Sequence, residues 1–211
     1  MRIACLHTAA ANQAVFSSLF AAEAPRASII HVVRDDLLEQ ARVAGTEAII
    51  DPVLDALGAL TGADAILCTC STLGPAIDLI QSPKFIRIDR PMMEAAAAIG
   101  PKPLLVSCLD TADAAAVTLL SEVRGDDLAA TQVVCRAAWP HYERGHLAAF
   151  GRAIAAEVMP LAAGHDCVVL SQASMVAAIP YLSDVGIPVL TSPALAVSRT
   201  VAACRAPTPV S

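Results

Sequence analysis

Ala65-Ile66-Leu67-Cys68-Thr69-Cys70-Ser71-Thr72-Leu73-Gly74-Pro75 is an apolar run that stops in hydroxyl residues and a Gly-Pro pair, the pattern of a buried strand running into a helix start. A second stretch of this build is Val168-Val169-Leu170-Ser171-Gln172-Ala173-Ser174-Met175. Laying residues 62–91 on 164–193 without a gap pairs Gly62 with Gly164, Asp64 with Asp166, Ile77 with Ile179 and Pro91 with Pro193, and it puts Cys70 on Gln172. The start of the chain repeats as well. Ala4-Cys5-Leu6-His7-Thr8-Ala9 resembles Ser107-Cys108-Leu109-Asp110-Thr111-Ala112, which aligns Thr8 with Thr111 and His7 with Asp110. Two matches in the same order indicate a duplicated unit.

Around these anchors, short apolar runs alternate with alanine-rich helical stretches, as in a parallel sheet wound by crossover helices. The pattern predicts strands at 2–7, 28–33, 65–69 and 85–88, with helices at 12–22, 36–44, 52–60 and 75–80. The second half predicts strands at 104–108, 131–135, 167–170 and 188–190, with helices at 112–122, 145–159 and 173–179. Trp139-Pro140-His141-Tyr142 reads as a helix lead-in, and the terminal helix carries Cys204. Gly100-Pro101-Lys102-Pro103 breaks any helix and reads as a hinge or crossover between the halves, while Ala206-Pro207-Thr208-Pro209-Val210-Ser211 reads as a surface tail. The expected architecture is α/β. It consists of two pseudo-symmetric, doubly wound parallel-sheet domains, 1–95 with 194–211 and 96–193, with an active-site cleft between them at the strands' carboxyl ends.

The 211 residues are 56% hydrophobic, mostly Ala, Val, Leu and Ile with few aromatics, which suits strands covered on both faces by helices. A formal charge of −6 argues against nucleic acid or an anionic membrane as partner, although a small anion can still be held by local helix ends and hydroxyls. The opening segment does not read as a signal peptide and no apolar run is long enough to span a bilayer. Seven cysteines scattered over strand-like segments point to free thiols and a cytoplasmic location. Cys68-x-Cys70 lacks a second ligand pair at a zinc-site spacing, so no metal is indicated. No Gly-x-Gly-x-x-Gly or phosphate-binding loop follows a strand, so neither a dinucleotide nor ATP is indicated.

Cys70 stands where a thiol can do chemistry. Ser71 or Thr72 can cap the helix that follows, and Pro75 suits its first turn, so Cys70 lies near N–H groups that favour a thiolate, a substrate carboxylate or an enolate oxygen. The chain resembles the aspartate/glutamate racemase superfamily, which also holds hydantoin racemases, maleate isomerases and arylmalonate decarboxylases. The resemblance rests on Leu6-His7-Thr8, Cys70-Ser71-Thr72, Ile88-Asp89-Arg90-Pro91-Met92 and Val169-Leu170-Ser171-Gln172-Ala173-Ser174-Met175. It implies two α/β domains, a site at their interface, no cofactor, and two cysteines on opposite faces of the substrate carbon. It also implies a homodimer or higher assembly.

The first of those cysteines corresponds to Cys70; the second falls on Gln172, whose amide neither takes nor gives a proton at a useful pKa. The expected catalytic residue is therefore Cys70 alone. His7, Thr8, Ser71, Thr72, Thr111, Gln172, Ala173 and Ser174 are the expected frame for a small carboxylate substrate. Racemisation or isomerisation at a carbon next to a carboxylate is the leading expectation. A single-cysteine decarboxylase or lyase, or a carboxylate-binding descendant without turnover, stands beside it.

Overall fold

The computed structural model describes residues 1–125 and 130–205, apart from the side chains of Arg42 and Thr111. The tail expected from residue 206 lies outside the described residues. The chain folds into two compact units, Met1–Ile88 together with the chain from Pro193, and Asp89–Ser192.

The first unit runs β1 (Arg2–His7), α1 (Asn12–Glu23), β2 (Ser28–Val33), α2 (Asp35–Ala44), a 3-10 turn (Glu47–Ile49), α3 (Ile50–Gly58), β3 (Ala65–Cys68), a 3-10 turn (Ser71–Leu73), α4 (Gly74–Asp78) and β4 (Phe85–Arg87). Its four strands are parallel in the order β2-β1-β3-β4. The second unit runs α5 (Arg90–Ile99), β5 (Pro103–Ser107), α6 (Asp110–Arg124), β6 (Thr131–Val134), α7 (Trp139–Glu143), α8 (Leu147–Val158), β7 (Cys167–Leu170), a 3-10 run (Ala173–Tyr181) and β8 (Val189–Thr191). Its sheet is parallel in the matching order β6-β5-β7-β8. Helix α9 (Ser192–Arg205) then returns the chain to the first unit.

Unbroken apolar sequence explains the central strands. Every residue of β3 and β7 is buried, because helices cover both faces of the sheet and leave no face for polar side chains. Leu6, Leu37, Val53, Leu57, Ile66 and Leu73 fill the core of the first unit; Val106, Phe150, Ile154, Val158, Val168 and Met175 fill that of the second. Among the described residues no helix is long and apolar enough to cross a membrane.

The duplication is visible in the register. Leu6 lies beside Cys68 as Val106 lies beside Leu170. Asp64 Oδ2 accepts the N–H of Arg2 (2.7 Å), and Asp166 Oδ2 accepts that of Lys102 (2.8 Å), so the aspartates paired in sequence perform one task, clamping the first strand's start to the third. The same register corrects the alignment of the first strands. Ser107, not Asp110, is the counterpart of His7, and Cys108, not Thr111, is that of Thr8. The similarity of 4–9 to 107–112 is three residues out of step, since short alanine-rich matches do not fix an offset.

Three further differences have local causes. Helix α5 has no counterpart among the helices read from the sequence; Pro91 sits in its first turn and an alanine run carries it on. Residues 173–181 form a 3-10 run rather than an α-helix, with Pro180 inside it and unable to donate a helical bond. Gly100–Pro103 lies within the second unit, leading from α5 into β5.

Candidate active site

Cys70 leaves β3 in extended backbone (φ −118°, ψ 116°), and its carbonyl accepts the Leu73 N–H (3.2 Å), which closes the 3-10 turn Ser71–Leu73. Gln172 leaves β7 in the same way (φ −114°, ψ 138°), and its carbonyl accepts the Met175 N–H (2.9 Å). The equivalence of Cys70 and Gln172 read from sequence therefore holds in the backbone of each unit. Cys70, Ser71 and Thr72 are all half-buried, and continuing the β1–β3 register two residues brings Thr8 alongside Cys70.

The helix start differs from the expectation. Neither turn nor helix has a side-chain cap, and α4 spans only five residues, Gly74–Asp78, with Pro75 in its first turn. The Cys70 segment thus offers the N–H groups of a tight turn, not the end of a long helix dipole.

The thiols differ sharply in surroundings. Burial pushes Cys5, Cys108 and Cys135 up to about 12 and Cys167 up to about 11. Cys68 is also buried, and Cys204, half-buried on α9, is raised by burial too. Cys70 is the partly exposed thiol that stands at a strand's carboxyl end.

In the second unit, Gln172, Ala173 and Ser174 are contiguous and half-buried. The Gln172 Oε1 accepts the backbone N–H of Cys108 (2.6 Å), which ties the end of β7 to the residue after β5. Nothing in the sequence signalled that bond, because it joins two strand ends across the sheet. The neighbouring Ser171 Oγ is buried with no partner among the described residues. Thr111 falls in the first turn of α6, and its side chain lies outside the described residues.

His7 is not an open group. Its ring is fully buried between β1 and α1, with the Phe16 ring 5.8 Å away. Its Nδ1 is 2.8 Å from Thr69 Oγ1 and its Nε2 is 2.8 Å from His31 Nδ1; His31 Nε2 is 2.9 Å from Ser17 Oγ. Burial, with His31 beside it, lowers His7 to about 4, so the ring is neutral near pH 7. Its position suits holding the strand ends in place rather than touching a substrate. Adjacent predicted strands carrying His7 and His31 were the available signal for this pair.

Thr8 borders an open concavity of about 390 Å³ lined also by Asp35, Asp36, Leu38 and Glu39. The Arg34 guanidinium bonds both oxygens of Asp36 at 2.7 Å and holds its carboxyl below the ordinary range. This acidic hollow is a poor receptor for a carboxylate.

No protein-family model matches the chain, and no curated protein matches it by sequence. Solved structures do match. An aspartate racemase of Picrophilus torridus superposes with a TM-score of 0.74 at 13% identity, over 96% of this chain and 94% of that one. A glutamate racemase of Bacillus anthracis gives 0.72 at 15% identity, over 96% and 81%. An unliganded arylmalonate decarboxylase gives 0.57 at 15% identity, over 96% and 92%. The chain therefore has the fold shared by proteins of the aspartate/glutamate racemase superfamily.

Proposed function

We propose that the protein is a cofactor-independent enzyme that transfers a proton at the carbon next to a carboxylate of a small substrate, with Cys70 as the acid/base. The observation that carries this reading is Cys70 itself, a half-buried thiol at the carboxyl end of a central strand, in a fold shared with racemases and a decarboxylase. In a racemase, the Cys70 thiolate takes the α-proton from one face, the electron pair passes into the carboxylate as an enediolate, water protonates the carbon on the opposite face, and the Cys70 thiol gives its proton to the hydroxide left behind. Ser71 and Thr72 frame the carboxylate in this proposal, and the turn N–H groups after Cys70 stabilise the developing oxyanion.

Gln172 favours a second reading, a single-cysteine decarboxylase or lyase of a malonate-like acid. Its amide is already bonded to the Cys108 N–H and holds no transferable proton. In decarboxylation the C–C bond breaks, carbon dioxide leaves, and the enediolate needs only one proton, from the Cys70 thiol; solvent then restores the thiol. Free thiols also fit a reducing compartment, which makes the cytoplasm part of the proposal.

The test is proton NMR in D₂O with amino acids, hydantoins, maleate and substituted malonates. Loss of an α-proton signal or isomerisation supports the racemase reading; release of carbon dioxide from a malonate supports the second. Gain of racemisation in Gln172→Cys would identify the missing second base. No turnover on any substrate, with carboxylates still raising Tm, would replace both readings by a binding protein.

A further inference from the structure

We propose that Cys5, His7 and His31 form a zinc-binding site in the first unit, independent of the Cys70 chemistry. Cys5 and His7 are two apart on β1 and so share one face, and His31 on β2 lies directly beside Cys5 in the parallel register. One ligand atom from each of the three lies within 4.8 Å of the other two. Helix α1 covers this face, opposite the apolar cluster containing Ala4 and Leu6.

The hydrogen bonds point the ring nitrogens inward. Thr69 Oγ1 donates its proton to the Leu6 carbonyl (3.2 Å), so its oxygen accepts from His7 Nδ1–H, leaving His7 Nε2 bare. That bare nitrogen faces His31 Nδ1 at 2.8 Å, while Ser17 Oγ stands against the outer His31 Nε2. Each imidazole thus has a hydroxyl on its outer nitrogen, the arrangement by which outer partners orient metal-bound histidines. Without metal, one proton sits between the facing nitrogens. With metal, His31 shifts that proton to Nε2 and donates it to Ser17, both inner lone pairs bind the ion, and the Cys5 thiol releases its proton to water.

A thiolate with two neutral imidazoles is a borderline-soft set, which suits Zn²⁺ and not Mg²⁺ or Ca²⁺. Zinc bonds of about 2.0–2.1 Å to nitrogen and about 2.3 Å to sulfur set tetrahedral ligand atoms roughly 3.3–3.6 Å apart. The facing nitrogens need to open by about 0.5 Å and the widest pair to close by about 1 Å to reach that span, within reach of side-chain rotation. Water fills the fourth position. The ion enters beside half-buried His31 and exposed Ser17.

The experiment titrates the full-length protein, stripped with chelator, with Co²⁺ and then competes it with Zn²⁺. The expected result is a thiolate-to-cobalt charge-transfer band with tetrahedral d–d bands, both abolished by Zn²⁺, and a Zn²⁺-dependent rise in Tm. Cys5→Ser removes the charge-transfer band, His31→Ala removes tight binding, and Cys204→Ser changes neither. His31 is half-buried, so its variant decides the matter if Cys5→Ser fails to fold. Absence of the band in the wild type, or its survival in His31→Ala, overturns the proposal and leaves these groups a hydrogen-bonded chain.

Discussion

Gly151 is where α8 presses on the 3-10 run that begins immediately after Gln172. A Cβ placed there lies 2.1 Å from the Ala177 carbonyl oxygen, 2.8 Å from its carbon and 2.9 Å from Tyr181 Cδ2. Gly151→Ala therefore forces backbone apart by about 1 Å, an overpacking that costs typically 1–3 kcal/mol and sometimes more. The better helix propensity of alanine returns about 1 kcal/mol. With the overlap falling on a carbonyl and not a flexible side chain, the balance is a loss of about 2 kcal/mol. The single tryptophan provides the assay, because Trp139 packs edge-on to Phe150, the residue next to Gly151, and so reports on the second unit. In urea, with a slope of about 2 kcal/mol per molar, the fluorescence midpoint falls by about 1 M. A midpoint equal to or above that of the wild type would refute this packing of α8 on residues 173–181.

Gly58→Ala has the opposite sign: it ends α3 with nothing within 4 Å of the added Cβ, so calorimetry is expected to show a gain of about 0.4–1 kcal/mol. An alkylating reagent applied to the native protein at pH 8 labels Cys70 and, more slowly, Cys204, while the five buried thiols react only after denaturation; peptide mass mapping reads the outcome. Gln172→Ala leaves the Cys108 N–H without its side-chain acceptor and is expected to lower stability by about 1 kcal/mol, measured again by Trp139 fluorescence in urea.

Much of the fold was legible because buried parallel strands write themselves as short apolar runs: β1, β2 and β7 have the bounds expected from sequence, and the others differ by a residue at one or both ends. The pairing of Cys70 with Gln172 was legible for the same reason, since each follows a strand whose every residue is buried. The true counterpart of Thr8, Cys108 and not Thr111, was not legible, because only hydrogen-bond register reveals a three-residue slip in an alanine-rich match. His7 looked like a site residue since a strand-end histidine in sequence carries no mark of which face it takes. Its partners are Thr69, just after β3, and His31 on β2, which Ser17 of α1 holds in turn, and these residues are far apart in sequence. Ser71 and Thr72 read as caps, yet the chain makes a 3-10 turn before a five-residue helix.

The most direct test of the central claim is hydrogen exchange at the α-carbon in D₂O, followed by NMR on the full substrate panel, with wild type and Cys70→Ala side by side. The predicted result is turnover at that carbon, as exchange, isomerisation or decarboxylation, in the wild type and its loss in Cys70→Ala with folding and Tm unchanged. Equal turnover in the two proteins would contradict the role given to Cys70, as would a wild type that binds carboxylates and never exchanges a proton.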